Sequence, residues 1–229
     1  MQPSTGSISL TFDDGPDARW TLAVLDALAR CGATATFFML GERVLAEPDA
    51  ARAVRAAGHD VQLHGHRHVR HTELDEREIE LDARQAVAAL HGIGVHPTCW
   101  RTPWGVRSAA NRAVAERLGL TLVDWTLDTH DWRGDPASAM FARAQHRLVP
   151  GAVVLMHDAL GPGARRDGCQ STVELIEPLV LAARARGLRV QPIGGAPLAH
   201  HAPAQVGAVP VSAAAARETA APSVMAAAS

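Results

Sequence analysis

The chain has 229 residues with 47% hydrophobic and 20% charged content, enough to bury the core of one large α/β barrel or of two small domains. A formal net charge of −2 excludes bulk electrostatic attraction to nucleic acid or to an anionic membrane. Cys31, Cys99 and Cys169 stand far apart, an odd count without CxxC spacing, which excludes a disulfide scaffold.

The N-terminal stretch MQPSTGSISLTFDDGP has no basic start followed by a long apolar run, so neither a secretory signal nor a membrane anchor is predicted. The expected location is cytoplasmic, although a chain whose leader had been removed would read the same way.

Aliphatic and β-branched runs at 7–12, 34–40, 60–63, 98–101, 121–125, 152–156 and 188–193 predict strands. Alanine-rich stretches of helical period at 18–30, 48–57, 73–90, 108–118, 136–148 and 172–186 alternate with them. Gly58, Gly119 and Gly187 follow helix patterns where a left-handed residue ends a helix, and Asp135-Pro136 predicts an N-cap followed by an N1 proline. Unbroken alternation predicts one α/β domain over 1–196, a parallel sheet covered by helices; pattern alone leaves an open sheet and a closed barrel both possible. Residues 197–229 are rich in alanine and proline with few large apolar side chains, which predicts a flexible tail.

Parallel α/β folds handle ligands at the C-terminal ends of their strands, and the ionisable residues fall there. Strand one runs into Asp13-Asp14-Gly15-Pro16, and strand three into His64-Gly65-His66-Arg67-His68. Strand four runs into Arg101-Thr102-Pro103-Trp104-Gly105, strand five into Asp128, Asp131 and Trp132, and strand six into His157-Asp158. Adjacent carboxylates such as Asp13 and Asp14 are costly to bury unless a cation or a shared proton relieves them. Neighbours on an extended segment point in opposite directions, so one carboxylate is free for metal and the other for substrate. Within LHGHRHVRH, His64 and His68 have the i, i+4 spacing of one side of a helical turn, and with one aspartate they give three ligands and an open coordination position. His64 and His66 would align instead on an extended segment, so spacing leaves His66 and His71 in contention.

These motifs, TFDDGP at 11–16, ATFFMLG at 35–41, HGHRH at 64–68, RTPWG at 101–105, DTHDW at 128–132 and LMHD at 155–158, resemble the polysaccharide deacetylase family, the NodB-homology or carbohydrate esterase family 4 group, over residues 7–193. The resemblance implies a distorted (β/α)7 barrel. It implies Asp13 as catalytic base, Asp14, His64 and His68 as metal ligands, and Arg101 as the group supporting the base. It implies His157 as the acid tethered by Asp131, Trp132 and Leu155 as walls of the acetyl pocket, and the Trp104 N–H as oxyanion donor. Gly65 departs from the family, which has Ser or Thr there to brace the metal loop; its loss is expected to loosen His64 and His68.

The implied activity is metal-dependent removal of N-acetyl groups from an acetylated amino sugar, in an oligo- or polysaccharide. Zinc is the expected metal, with cobalt or nickel as alternatives. O-acetyl ester or small-amide hydrolysis on the same fold, and a catalytically silent sugar-binding module, are the competing readings. Neither a nucleic-acid partner nor a membrane span is expected. Trp20, Trp100 and Trp125 read as packing, His130 and the pair His200-His201 as non-ligands, and Asp128 as a support residue.

Overall fold

In the computed structural model, which describes residues 6–193, the first strand shows how the chain sorts its side chains. Along β1 (Ser7–Asp13) the two-residue period sends Ile8, Leu10 and Phe12 into the apolar cluster shared with the helices. Thr11 and Asp13, equally buried, face the interior of the barrel. A strand buried on both faces belongs to a parallel sheet covered by helices.

The strands that follow are β2 (Thr36–Leu40), β3 (Asp60–Gly65), β4 (Cys99–Trp100), β5 (Thr121–Leu122), β6 (Leu127–Asp128), β7 (Val153–His157) and β8 (Arg189–Val190). Every pairing is parallel, in the order β5-β4-β3-β2-β1-β7-β6, and β8 joins β1 at Ser7 and Ile8. The seven-strand path curls into a distorted (β/α)7 barrel whose end strands, β5 and β6, are consecutive in the chain and unpaired with each other. Around it lie α1 (Trp20–Arg30), α2 (Gly41–Ala46), α3 (Pro48–Ala56), α4 (Glu76–Gly92), α5 (Ala109–Leu118), α6 (Ala137–Ala144) and α7 (Gln170–Ala185). Phe12 and Phe37 stack 5.0 Å apart on the helix side of the sheet. Burying a side chain of that size contributes about 1.5–3 kcal/mol.

Local signals explain the helix boundaries. Asp75 and Glu78 form a reciprocal capping box at the start of α4, and Ser108 and Asn111 another at the start of α5. Gly58, Gly119 and Gly187 follow helices at φ of 81°, 67° and 73°, a region that glycine enters without a Cβ clash.

Four expectations shift. The single strand expected over 121–125 is broken: β5 is only Thr121–Leu122, and the residues that precede Asp131 form β6 on the opposite edge, beside β7. Two-residue strands show no period in the sequence. Helix α2, six residues long, is also too short to display one. Pro136 is itself the N-cap of α6, in an extended conformation, instead of the first helical residue. The bend carrying His66 and Arg67 is not helical, so a chain reversal brings His64 and His68 together where a helical turn was expected. The predicted tail, 197–229, lies outside the described residues. Among the described residues no helix is long and apolar enough to cross a membrane, and the three cysteines are free thiols.

Candidate active site

The C-terminal ends of the strands converge on a pocket of about 270 Å3. Asp13, Asp14, His64, His68, Trp104, Trp132, Leu155 and His157 all line it. Arg101 and Asp131 stand behind it, each fully buried and each bonded to one of those residues.

At the end of β1 the backbone turns sharply, and Asp14 takes φ 76°, a left-handed conformation that Asp tolerates better than most residues. Its carboxylate thereby leaves the direction of Asp13 and meets two imidazoles. Asp14 Oδ1 lies 3.4 Å from His64 Nε2 and 3.2 Å from His68 Nε2. The three donor atoms fall within 4.8 Å of one another.

The tautomer of His64 follows from its other nitrogen. Nδ1 is 2.7 Å from the Arg101 carbonyl, which only accepts, so Nδ1 carries the proton and Nε2 presents its lone pair toward Asp14. Asp14 Oδ1 is buried without a hydrogen-bond donor, and so is His68 Nδ1 without a partner. One carboxylate and two imidazoles that converge where Asp14 Oδ1 is buried without a donor fit a divalent cation of the zinc type. Burial pushes the Asp14 carboxyl up, but the adjoining His64 and His68 imidazoles and the charge of His157 outweigh it and hold the group well below the usual range. Burial pushes His64 down, and the neighbouring Asp13 and Asp14 outweigh that and raise it.

The other two histidines left open by spacing lie elsewhere. His66 packs toward Gly41, where an added Cβ would stand 2.6 Å from Nδ1. His71 is buried against Asn111 Nδ2 at 2.8 Å, and burial pushes it down to about 4, so it is a neutral core group. His59 is likewise pushed down to about 4 by burial, and its Nδ1 accepts from the Ala35 N–H.

The loop between His64 and His68 is braced from α4. Buried Asp82 accepts from the backbone N–H of His66 at 2.7 Å and of Arg67 at 3.1 Å. Gly65 sits at φ 151°, and a Cβ there would lie 3.2 Å from Asp82 Oδ2 and 3.3 Å from Pro103. The glycine that departs from the family thus occupies a backbone conformation suited to it, and a carboxylate holds the loop in place of a hydroxyl at position 65.

On the side of Asp13, Arg101 Nη1 donates to Asp13 Oδ1 at 2.8 Å and to Thr11 Oγ1 at 2.7 Å. Thr11 Oγ1 in turn donates to the Val154 carbonyl at 2.7 Å. The guanidinium lies 4.1 Å over the Phe38 ring. These contacts hold the arginine in one orientation, which fixes the carboxylate it serves.

On the side of His157, Nδ1 donates to Asp131 Oδ1 at 2.7 Å. Asp131 Oδ2 accepts from the His157 N–H at 2.9 Å, from Thr172 Oγ1 at 2.7 Å and from Arg166 Nη1 at 3.1 Å. Burial pushes His157 down, but Asp131 outweighs it, with Asp14 and Asp13 adding, and raises the imidazole to about 9. Burial pushes Asp131 up, and His157, Arg166 and Thr172 outweigh it and hold the carboxyl at about 2.

Several contributors escaped the sequence reading. Asp82 falls in the helical period of Ile79, Ala83, Ala86 and Leu90, all buried; a carboxylate at an apolar position is the signal that marks it. Arg166 lies on the β7–α7 connection, another strand exit, and Thr172 in the first turn of α7. Trp125 is a pocket wall as well as a packing residue, with Gly105 so close that a Cβ would lie 2.3 Å from its ring. Trp100 is core. Asp128 lines the pocket and accepts from the His130 N–H at 2.7 Å, holding the left-handed turn at His130. Asp158 accepts from Thr21 Oγ1, and burial together with Asp14 and Asp13 raises it to about 7.

Comparison with known proteins agrees on one grouping. Residues 1–123 match the sequence profile described as Polysaccharide deacetylase. A peptidoglycan-N-acetylglucosamine deacetylase of Listeria monocytogenes is 37% identical over 152 residues, 66% of this chain but 32% of that protein, so the chain spans only part of that relative. A chitooligosaccharide deacetylase of Bradyrhizobium is 31% identical over 196 residues, covering 82% of this chain and 90% of its own. The solved structure of a family 4 carbohydrate esterase from Streptomyces lividans in complex with acetate matches with a TM-score of 0.73 at 32% identity, over 81% of this chain and 91% of that one. The chain belongs to the polysaccharide deacetylase family.

Proposed function

We propose that the protein is a metal-dependent hydrolase that removes the N-acetyl group from an acetylated amino sugar in an oligo- or polysaccharide. The observation that carries this reading is the pairing of Asp13 and His157 in the β1–β7 register, beside the Asp14, His64 and His68 cluster. A silent binding module has no need of a proton acceptor and a proton donor held by separate counter-groups. The relatives' names, peptidoglycan and chitooligosaccharide deacetylases, support the same substrate class.

Asp14, His64 and His68 would hold the cation, zinc by preference and cobalt or nickel as alternatives; when bound, it polarises the acetamide carbonyl and acidifies water. Asp13, kept in place by Arg101, accepts the proton of the attacking water. The Trp104 main-chain N–H stabilises the developing oxyanion, a contribution of about 3 kcal/mol for a well-placed donor. His157, protonated and tied to Asp131, gives its proton to the departing amine as the C–N bond breaks, leaving acetate and a free amino sugar. Trp132 and Leu155 enclose the acetyl methyl.

Acetate release from N-acetylglucosamine oligomers, with and without chelator and in parallel with O-acetylated xylan, tests the reading. Chelator-sensitive release from the N-acetyl substrates is expected. Asp13→Asn and His157→Ala, with metal content checked, are each expected to lose about 10²–10⁴-fold in turnover. Near-wild-type rates in either variant remove that residue from the mechanism.

A further inference from the structure

A second groove, of about 630 Å3, adjoins the catalytic pocket and shares Ala164 and Arg166 with it. Its walls come from the start of α1 and from the β7–α7 loop, with Arg19, Trp20, Arg165 and Asp167 among the lining residues. The loop is pinned at both ends of this stretch. Arg165 N–H donates to the Trp132 carbonyl at 2.8 Å. At Gly168 a Cβ would lie 2.4 Å from the Trp20 ring, so the backbone lies directly against that tryptophan.

Cations collect on this side although the chain as a whole is slightly acidic. Arg19 lies 4.3 Å over Trp20, and Arg133 and Arg165 flank Trp132 at 5.0 and 5.8 Å. Among the described residues none of these three arginines makes an ion pair, whereas Arg107, Arg117 and Arg143 elsewhere on the surface all do. Asp167 is the lone carboxylate lining the groove, and nearby Asp17 is engaged by the backbone N–H groups of Arg19 and Trp20. The first turn of α7, which supplies Gln170 and Ser171 to the wall, contains no acidic residue. Guanidinium forks without protein partners suit oxyanions.

We propose that this groove is a subsite for an anionic group, a carboxylate or a phosphate, carried by the glycan next to the unit that loses its acetyl group. The enzyme accordingly prefers acidic N-acetylated oligosaccharides to neutral ones. This rests on the deacetylase reading above and deepens it, because Arg19 and Arg165 lie outside the catalytic machinery.

The test compares three substrates: a neutral N-acetylglucosamine tetramer, a tetrasaccharide alternating N-acetylglucosamine with a uronic acid, and the neutral tetramer bearing a phosphate monoester. Wild type is expected to show a higher kcat/KM on at least one acidic substrate, and whichever it favours identifies the anion. Arg19→Gln/Arg165→Gln should lose about tenfold on that substrate, the effect of two exposed charge contacts, and nothing on the neutral tetramer. Lys at both positions should retain most of the preference, and added salt should erode it. Equal losses on neutral and acidic substrates, or no loss on either, overturn the proposal. If wild type releases acetate from none of the three, the catalytic reading fails separately. Calorimetric binding of the uncleaved acidic tetrasaccharides then decides the groove, and equal affinities for wild type and the double variant overturn it.

Discussion

Asp13 and His157 are register partners on β1 and β7, and each is bound on its far side by a different counter-group: Arg101 at 2.8 Å from Asp13, Asp131 at 2.7 Å from His157. Neighbouring strands of one sheet set their spacing, which holds a catalytic pair more rigidly than loops do. Opposite surroundings on the two sides suit the pair to the distinct tasks proposed for them, one group accepting a proton and the other releasing one.

The pH dependence follows from that division. If His157 is the acid, as proposed, it works only while protonated, so turnover is expected to fall as pH rises through about 9; a cation at Asp14 would offset negative charge there and move this limb lower. Asp131→Asn removes the largest opposing contribution to burial, so the alkaline limb moves to or below the ordinary histidine range. The loss at pH 8 should reach about 10²-fold. Stability moves with the same sign. A histidine raised in the folded state stabilises fully below its ordinary 6.5, and that contribution disappears as pH rises through about 9. A pH–rate profile with the same alkaline limb in both proteins would exclude His157 as the acid.

Much of this site was legible because it lies where parallel strands end, and strands as long as β1, β3 and β7 announce themselves by composition. The cluster at Asp14 was less so. Spacing treated His64, His66, His68 and His71 nearly alike, and only the reversal at Gly65 and the left-handed turn at Asp14 separate the two that meet Asp14 from the others. The placement of Asp131 was read from the wrong strand. A two-residue β6 pairs with β7 through a register that no local pattern encodes, since its partners are distant in sequence. Asp82 and Arg166 act through other residues, so motif chemistry alone did not reveal them.

Asp82 offers a test of how the metal loop is held. Asp82→Ala leaves the His66 and Arg67 N–H groups without their acceptor, a cost of about 1–3 kcal/mol in stability. Zinc affinity, measured by competition with a chromogenic chelator, should fall about 10–100-fold. Gly65→Ser should not rescue it, because φ 151° and the 3.3 Å approach of Pro103 both disfavour a side chain there. Unchanged zinc affinity in Asp82→Ala would show that the loop is held by other contacts.

Metal binding should also be visible in unfolding. A cation that binds only the folded chain stabilises it by about 2.7 kcal/mol at a concentration 100 times its dissociation constant. Zinc, added to wild type and followed by thermal melting, should raise the midpoint in a concentration-dependent way. Asp14→Ala and His68→Ala should abolish the response, because each removes one of three donors. A zinc response retained in both variants would place the ion elsewhere.

The β7–α7 loop approaches the Asp14, His64 and His68 cluster at Gly161, where an added Cβ would lie 2.0 Å from Asp14 Oδ2. Since Asp14 Oδ1 already faces His64 and His68, its carboxylate has little freedom to yield without leaving them. Gly161→Ala is therefore expected to displace Asp14 and lower zinc affinity about 10–100-fold, while the fold survives. Gly92→Ala, where an added Cβ meets nothing within 4 Å, controls for the general effect of replacing a glycine. If Gly161→Ala binds zinc as tightly as Gly92→Ala does, the loop moves freely above the triad and its glycine plays no part in shaping the metal site.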